Sequence, residues 1–439
     1  MNLFWKNIFG GIKPTAKLEK EEAELLKAMH RYEEVGKSVE LAEYKKLVKI
    51  IQSATFQENK KILKNRKYKD TEEFQISNKY KKLQNSPAIQ LYYHVLASEE
   101  LKYFLAFKST PEYEQLGDKK KIKASETLKK LRRYEHSKAY KTYMRFHDSF
   151  IITEYDALKI KIASPEYKKA NEFWANQNRW HTTEEFVQQQ RYHELSKNPD
   201  ILFYINENPE RFEKYRTLSL SFQDEFEWNT LDKSHWNFGF HYKSPALIGD
   251  HSFANEKQAN HSGKNISVVE GILKLVTKHE KVTARAWDTR KGFIEKEFNF
   301  TSDVLQTADT FRQKGGVLRA KLRCTGNIQH AFWLGTDSKL PHIKIFHYNG
   351  KYITLGNANK DLFDGIKISG LNHSEFFIYT LVWTEKELYW MINDLEVYRT
   401  ASNIPNEAMY LAFNSFISEK QKGRTGSLEV DWVRAYTIA

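Results

Sequence analysis

At residue 217 the spacing of apolar side chains changes, and with it the kind of structure the chain can form. Before that point apolar residues recur three and four apart in segments poor in Gly and Pro, which is helix periodicity. After it, "GILKLVTKHEKVTARAW", "FFIYTLVWTEKELYWMIN" and "SLEVDWVRAYTI" alternate apolar with polar residues and are rich in β-branched and aromatic types. Short turns with Gly, Asn or Asp separate these runs, the pattern of a many-stranded sandwich. A side-chain period of two cannot serve a helix, nor a period of 3.6 a strand. The reading is therefore an all-α domain over residues 1–216 and an all-β jelly-roll sandwich over 217–439, and 439 residues suffice for both cores.

The helical half carries an internal repeat. "TEEFQISNKYKKLQNSPAIQLYY" (71–93) aligns without a gap to "TEEFVQQQRYHELSKNPDILFYI" (183–205). Weaker copies are "KSTPEYEQL" (108–116), "EHSKAYKTY" (135–143) and "IASPEYKKA" (162–170). Ser or Asn followed by Pro suits a helix start, a side-chain cap and then a residue that fits the first turn. The expectation is a helical-repeat array whose units bury their faces on their neighbours. Residues 1–216 hold 42 Lys/Arg against 31 Asp/Glu, and residues 217–439 hold 27 against 25, so the net charge of +13 sits mostly in the helical half. That charge suits a protein partner. Nucleic acid is disfavoured, because acidic residues are interspersed and no nucleic-acid motif is present.

Cys324 is the only cysteine, which excludes an intrachain disulfide and a lipoprotein anchor. No run approaches the ~20 apolar residues of a membrane span. "MNLFWKNIFGGIKPTAK" is broken by lysines and reads as a docking or amphipathic segment rather than a signal peptide. The expectation is a protein made in the cytoplasm and kept soluble there, or assembled into a particle or exported by a signal-independent route.

"LSLSFQDEFEWNTLDKSHWNF" (218–238), "VVEGILKLVTK", "NFTSDVLQT", "GVLRAKLR", "HAFWLGT" and "AMYLAFNSF" follow one another in an order that resembles glycoside hydrolase family 16. The likeness runs over about residues 217–438. It implies a concanavalin A-like jelly roll with a glycan cleft on its concave face. The family's signature strand, Glu-Ile-Asp followed by a second Glu after one or two residues, corresponds here to His342-Ile343-Lys344-Ile345-Phe346-His347. The nucleophile position falls on His342 and the helper aspartate on Lys344. The acid/base position falls on Phe346 or His347, depending on a strand bulge. Retaining glycoside hydrolysis uses one carboxylate to attack and another to move protons, so the resemblance implies the frame without its acids.

The same resemblance implies that Trp333, Tyr348 and Asn414 face the cleft, that Trp287 lies on a loop beside it, and that Arg319 stands where the family often has glutamate. Trp383, Trp390 and Trp432 read as core. His330, His342 and His347 read as a polar cluster rather than a metal site, and no cofactor is required. A structural calcium, common in the family, would take Glu225, the Gly271 carbonyl and Asp431. The expected function is a non-catalytic glycan-binding module joined to a helical interaction arm. The alternatives are an altered hydrolase of the family and a structural component of a virion or tail. Basic residues in the cleft reflect either drift or an anionic polysaccharide ligand.

Overall fold

The computed structural model describes the chain apart from residues 5, 7–9, 243, 245, 246, 248, 360 and 361. It divides into two compact units, Glu34–Asn206 and Met1–Glu33 with Glu207–Ala439. The division differs from a break at 216/217 because residues 1–33 belong with the β-sandwich. Part of the N-terminal segment read as a docking element (residues 5 and 7–9) lies outside the described residues.

The helical unit starts helix after helix on a Ser, Thr or Asp cap. Thr71 and Thr183 show the repeat at work: each hydroxyl accepts from the backbone N–H three residues on, Phe74 and Phe186, at 3.3 Å. Glu72, Glu73, Glu184 and Glu185 then place negative charge in the first turn, where the helix dipole favours it. Pro87, Pro165 and Pro199 open helices at positions whose N–H is not needed. The weak copy at Pro111 gives a 3₁₀ segment, Pro111–Gly117, instead of an α-helix.

The packing departs from a simple array. Val39–Gln52 pairs with Glu184–Leu195, Glu72–Gln84 with Phe150–Ala163, and Pro87–Leu96 with Lys138–Phe146. The unit runs out and doubles back in nested pairs, so partners are far apart in sequence. Tyr44 stacks on Tyr192 and Tyr80 on Tyr155 across these pairs, at 5.7 and 5.4 Å between ring centroids. Arg191 holds Glu43 with two bonds, at 3.0 and 2.9 Å. Among the described residues no helix is long and apolar enough to cross a membrane.

The β-unit is a sandwich of two largely antiparallel sheets. The smaller sheet runs Leu362–Ile368, Ile353–Asn359, His342–Tyr348, Gln329–Gly335, Tyr410–Phe416, Val304–Gln306, Asn237–Phe238. At the centre of the larger sheet Phe377–Trp383, Gly316–Thr325, Gly426–Ile438 and Ile272–Asp288 lie side by side. Alternate residues from both sheets, among them Leu318, Leu322, Phe332, Leu334, Ile343, Ile345, Phe413 and Trp390, form one buried core.

The outer face of Gly316–Thr325 is covered from the chain's own beginning. Leu3 and Ile12 enter the main core, and Leu18 packs on Ile378 and Trp432. Glu22 takes two bonds from Arg319 at 2.6 and 3.1 Å. Glu19 accepts from Lys321 at 2.9 Å and from the Trp432 indole at 3.0 Å. Arg323 pairs with Glu429. All three outward cations of this strand thus have carboxylate partners. Arg319 is not a cleft residue: it is buried on the opposite face of the sandwich. Trp432 likewise packs outside the main core, in a smaller buried cluster with Ile378 and Leu18 of the helix Thr15–Gly36.

Candidate functional site

On the free face of the smaller sheet, the strand His342–Tyr348 directs its side chains by a break in alternation. Ile343 and Ile345 point into the core, and pairing with the next strand then slips between Lys344 and His347. The extra residue sends Phe346 into the core as well, against Tyr379 at 4.7 Å, and turns His347 outward. His342, Lys344 and His347 therefore line one groove of about 440 Å³. Of the two candidates for the acid/base position, the bulge places His347 in the groove and Phe346 in the core.

Trp333 forms the groove floor, 9% exposed, with its indole N–H donating to Asn414 Oδ1 at 3.0 Å. Gly335 makes room for it, since a Cβ there would stand 2.5 Å from the Trp333 ring. The His342 imidazole leans on the same indole, 5.0 Å between centroids. His347 Nε2 meets Gln329 Oε1 at 2.9 Å, so Nε2 carries the proton. Trp287 lies in an adjoining cavity of about 710 Å³, packed against Phe293. Tyr348 is not in the groove: it is buried in the core and stacks on His373 at 4.3 Å. His330 also faces inward, held by Ser415 and the Thr325 carbonyl. Only two of the three histidines share the cleft.

Burial governs the electrostatics. Desolvation, helped by the nearby Lys344 ammonium, lowers His342 to about 3. Desolvation, Lys344 and the other imidazoles lower His347 to about 3. Both rings are therefore neutral near pH 7. Lys344 is itself lowered by desolvation; its ammonium lies 5.1 Å from the Phe363 ring and, among the described residues, meets no carboxylate.

One carboxylic acid lines this groove among the described residues: Glu256, shared with the adjoining cavity. Desolvation raises it to about 7, against a bond from Gln258 Nε2 at 2.6 Å. Gln258 is itself fixed by accepting from the Ile417 N–H at 2.7 Å. Sequence reasoning missed Glu256 because it sits in "FANEKQANH", between two very short strands where no periodicity assigns a face.

The two carboxylates expected to hold calcium have cationic partners in this structure. Glu225 is held by Arg434 at 2.6 and 2.8 Å, and Asp431 by Lys321 at 2.6 Å. Each carboxylate faces a cation, which a bound ion would have to displace. No group of three or more His, Cys, Asp or Glu side chains placed to hold a metal ion occurs among the described residues.

Two facing sheets with an aromatic-floored groove across one of them define a jelly-roll β-sandwich. The family model "Glycosyl hydrolases family 16" matches residues 333–434. Among curated relatives, Glucan endo-1,3-beta-glucosidase A1 of Niallia circulans is 23% identical over 270 residues, covering 50% of this chain and 38% of that protein. Endo-1,3-1,4-beta-glycanase EglC of Rhizobium meliloti (strain 1021) is 25% identical over 202 residues, covering 41% of each. The chain thus spans about two-fifths of the length of these relatives. Among solved structures, the catalytic domain of an endo-1,3-beta-glucanase (laminarinase) from Thermotoga petrophila RKU-1 matches at 15% identity and TM-score 0.41, covering 50% of this chain and 98% of that one. LamAcat from Zobellia galactanivorans matches at 20% identity and TM-score 0.41, covering 51% and 99%.

Proposed function

We propose that the β-unit binds a polysaccharide of the β-glucan type in the groove over Trp333 without cleaving it by the family's retaining route, and that the helical unit attaches it to a protein partner. The observation that carries this reading is the set of side chains the signature strand presents to the groove, His342, Lys344 and His347. A retaining mechanism needs a carboxylate nucleophile and a second carboxyl about 5–5.5 Å away. Neither an ammonium nor a neutral imidazole at these positions supplies that pair. Lys344, half-buried and without a carboxylate partner among the described residues, favours a sugar carrying sulfate or carboxylate. The test is binding to laminarin and to sulfated laminarin at low and high salt. Preference for the sulfated form that fades with salt and is lost in Lys344→Met supports the anionic ligand. Equal binding at low salt leaves a neutral glucan.

Glu256 supports a second reading, an altered hydrolase. A carboxyl raised to about 7 keeps its proton in about half the molecules at pH 7 and can give it to a glycosidic oxygen. The imidazoles of His342 and His347, lowered to about 3, are weak bases, so in this reading the water that attacks the sugar carbon releases its proton to solvent as the leaving oxygen departs. Release of reducing ends from laminarin, abolished in Glu256→Gln, would establish this reading over the first.

A further inference from the structure

The helical unit holds 33 Lys/Arg against 23 Asp/Glu over residues 34–206, and its surface cations fall into two kinds. Some of those near the turn-back are paired, Lys129 with Glu126, Arg132 with Glu135 and Lys102 with Glu99, while Lys119, Lys120, Lys121, Lys123, Lys130 and Arg133 have no ion pair among the described residues. Lys138, Lys141 and Arg145 are not paired with any carboxylate among the described residues. They recur at intervals of three and four, so they form one stripe about 10 Å long on the helix Lys138–Phe146. Tyr140 and Tyr143, buried on the other side of that helix, fix which way the stripe faces.

The stripe borders a groove of about 730 Å³ against the helix Pro87–Leu96. Its remaining walls are apolar in part: Pro87 and Leu91 on one side and Phe146 on the other, with the Arg145 guanidinium over its ring at 5.4 Å, while His136 and Thr142 also line it. A row of unpaired cations beside a partly apolar trough has a complement. Carboxylates spaced by three and four residues would meet the stripe, and one apolar side chain between them would enter the trough. An amphipathic acidic helix has that spacing. A sugar chain would find few apolar ring faces here, and a nucleic acid no flat aromatic platform.

We propose that the groove between Pro87–Leu96 and Lys138–Phe146 docks an acidic amphipathic helix of a partner protein. This rests on the reading of the helical unit as the attachment arm and names its site.

The probe is a fluorescein-labelled 15-residue peptide with Glu at i, i+3 and i+7 and Leu between them. Its binding to the full-length chain is followed by polarisation. The control peptide has the same composition in scrambled order, and heparin and single-stranded RNA serve as competitors. Binding of the ordered peptide at least tenfold tighter than the scrambled one is expected. Lys138→Glu/Lys141→Glu/Arg145→Glu should lose that preference and regain binding to a peptide carrying Lys in place of Glu. These residues are exposed, so folding is checked by an unchanged helical circular dichroism spectrum. Equal binding of ordered and scrambled peptides overturns the proposal. So does displacement of the peptide by heparin or RNA that binds through the same three residues. Ordered-peptide binding that survives the triple reversal overturns the groove while leaving the arm reading standing.

Discussion

Replacing Glu22 by alanine should destabilise the β-unit more than any loss of surface charge would. Arg319 and Glu22 have side chains only 8% and 13% exposed, and they meet through two short bonds. The guanidinium lies 5.6 Å from the Trp432 ring, and its Nε has no partner of its own. Although burial opposes it, bonding and attraction to Arg319 hold Glu22 below the ordinary carboxylate range. Glu22→Ala leaves a guanidinium enclosed without a counter-charge, a loss of roughly 3–5 kcal/mol. For a unit of this size that is a fall of about 10 °C in Tm. The paired change Glu22→Leu/Arg319→Met removes both desolvation costs together and should lie much closer to the parent. Calorimetry of the full-length chain, with the β-unit followed by tryptophan fluorescence, measures all three. A Glu22→Ala loss below about 1 kcal/mol, or a double variant as unstable as the single, would refute the reasoning.

Deleting residues 1–33 should lower the stability of the β-unit and bare Leu18's site on Trp432, seen as increased binding of a hydrophobic dye; an unchanged melt would show that the segment only rests on the sheet. Acid should unfold the sandwich early. His330 is fully buried, with burial lowering it to about 3. A group depressed in the folded state binds protons first in the unfolded chain, so stability is intact above about pH 6.5 and falls as pH drops toward 3. At pH 5 His330 alone costs about 2 kcal/mol, and His342 and His347, which border solvent, add less. Urea titrations at pH 7 and 5 read the slope, and a His330→Gln variant with the same slope as the parent would remove His330 as its cause.

The periodicity change at 217 carries most of the architecture, because strand alternation and helix spacing are local properties of the sequence. What the sequence leaves open depends on partners far along the chain. Alternation by itself puts His342, Lys344 and Phe346 on one face; only pairing with Ile353–Asn359 reveals the bulge that exchanges Phe346 for His347. Arg319 alternates correctly as a non-core residue, yet its face is decided by a carboxylate 297 positions earlier. Tyr348 falls on the core side by the same bulge. The repeat in the helical half is real at the level of caps and first turns, but the nested pairing of its helices depends on a turn-back near residues 111–135 that no periodicity announces. Glu256 belongs to an irregular segment, where chemistry can be placed only by the fold.

The central claim is that the groove holds a polysaccharide and does not hydrolyse it through the signature strand. Affinity electrophoresis in gels containing laminarin or sulfated laminarin, with reducing ends assayed on the same protein, measures both halves at once. The account predicts retardation by at least one of the two polysaccharides, abolished by Ala358→Trp at the groove wall and by Trp333→Ala at its floor, with reducing ends at the level of buffer. Unretarded migration in both gels, or reducing-end release that disappears in His342→Ala or His347→Ala, would contradict it.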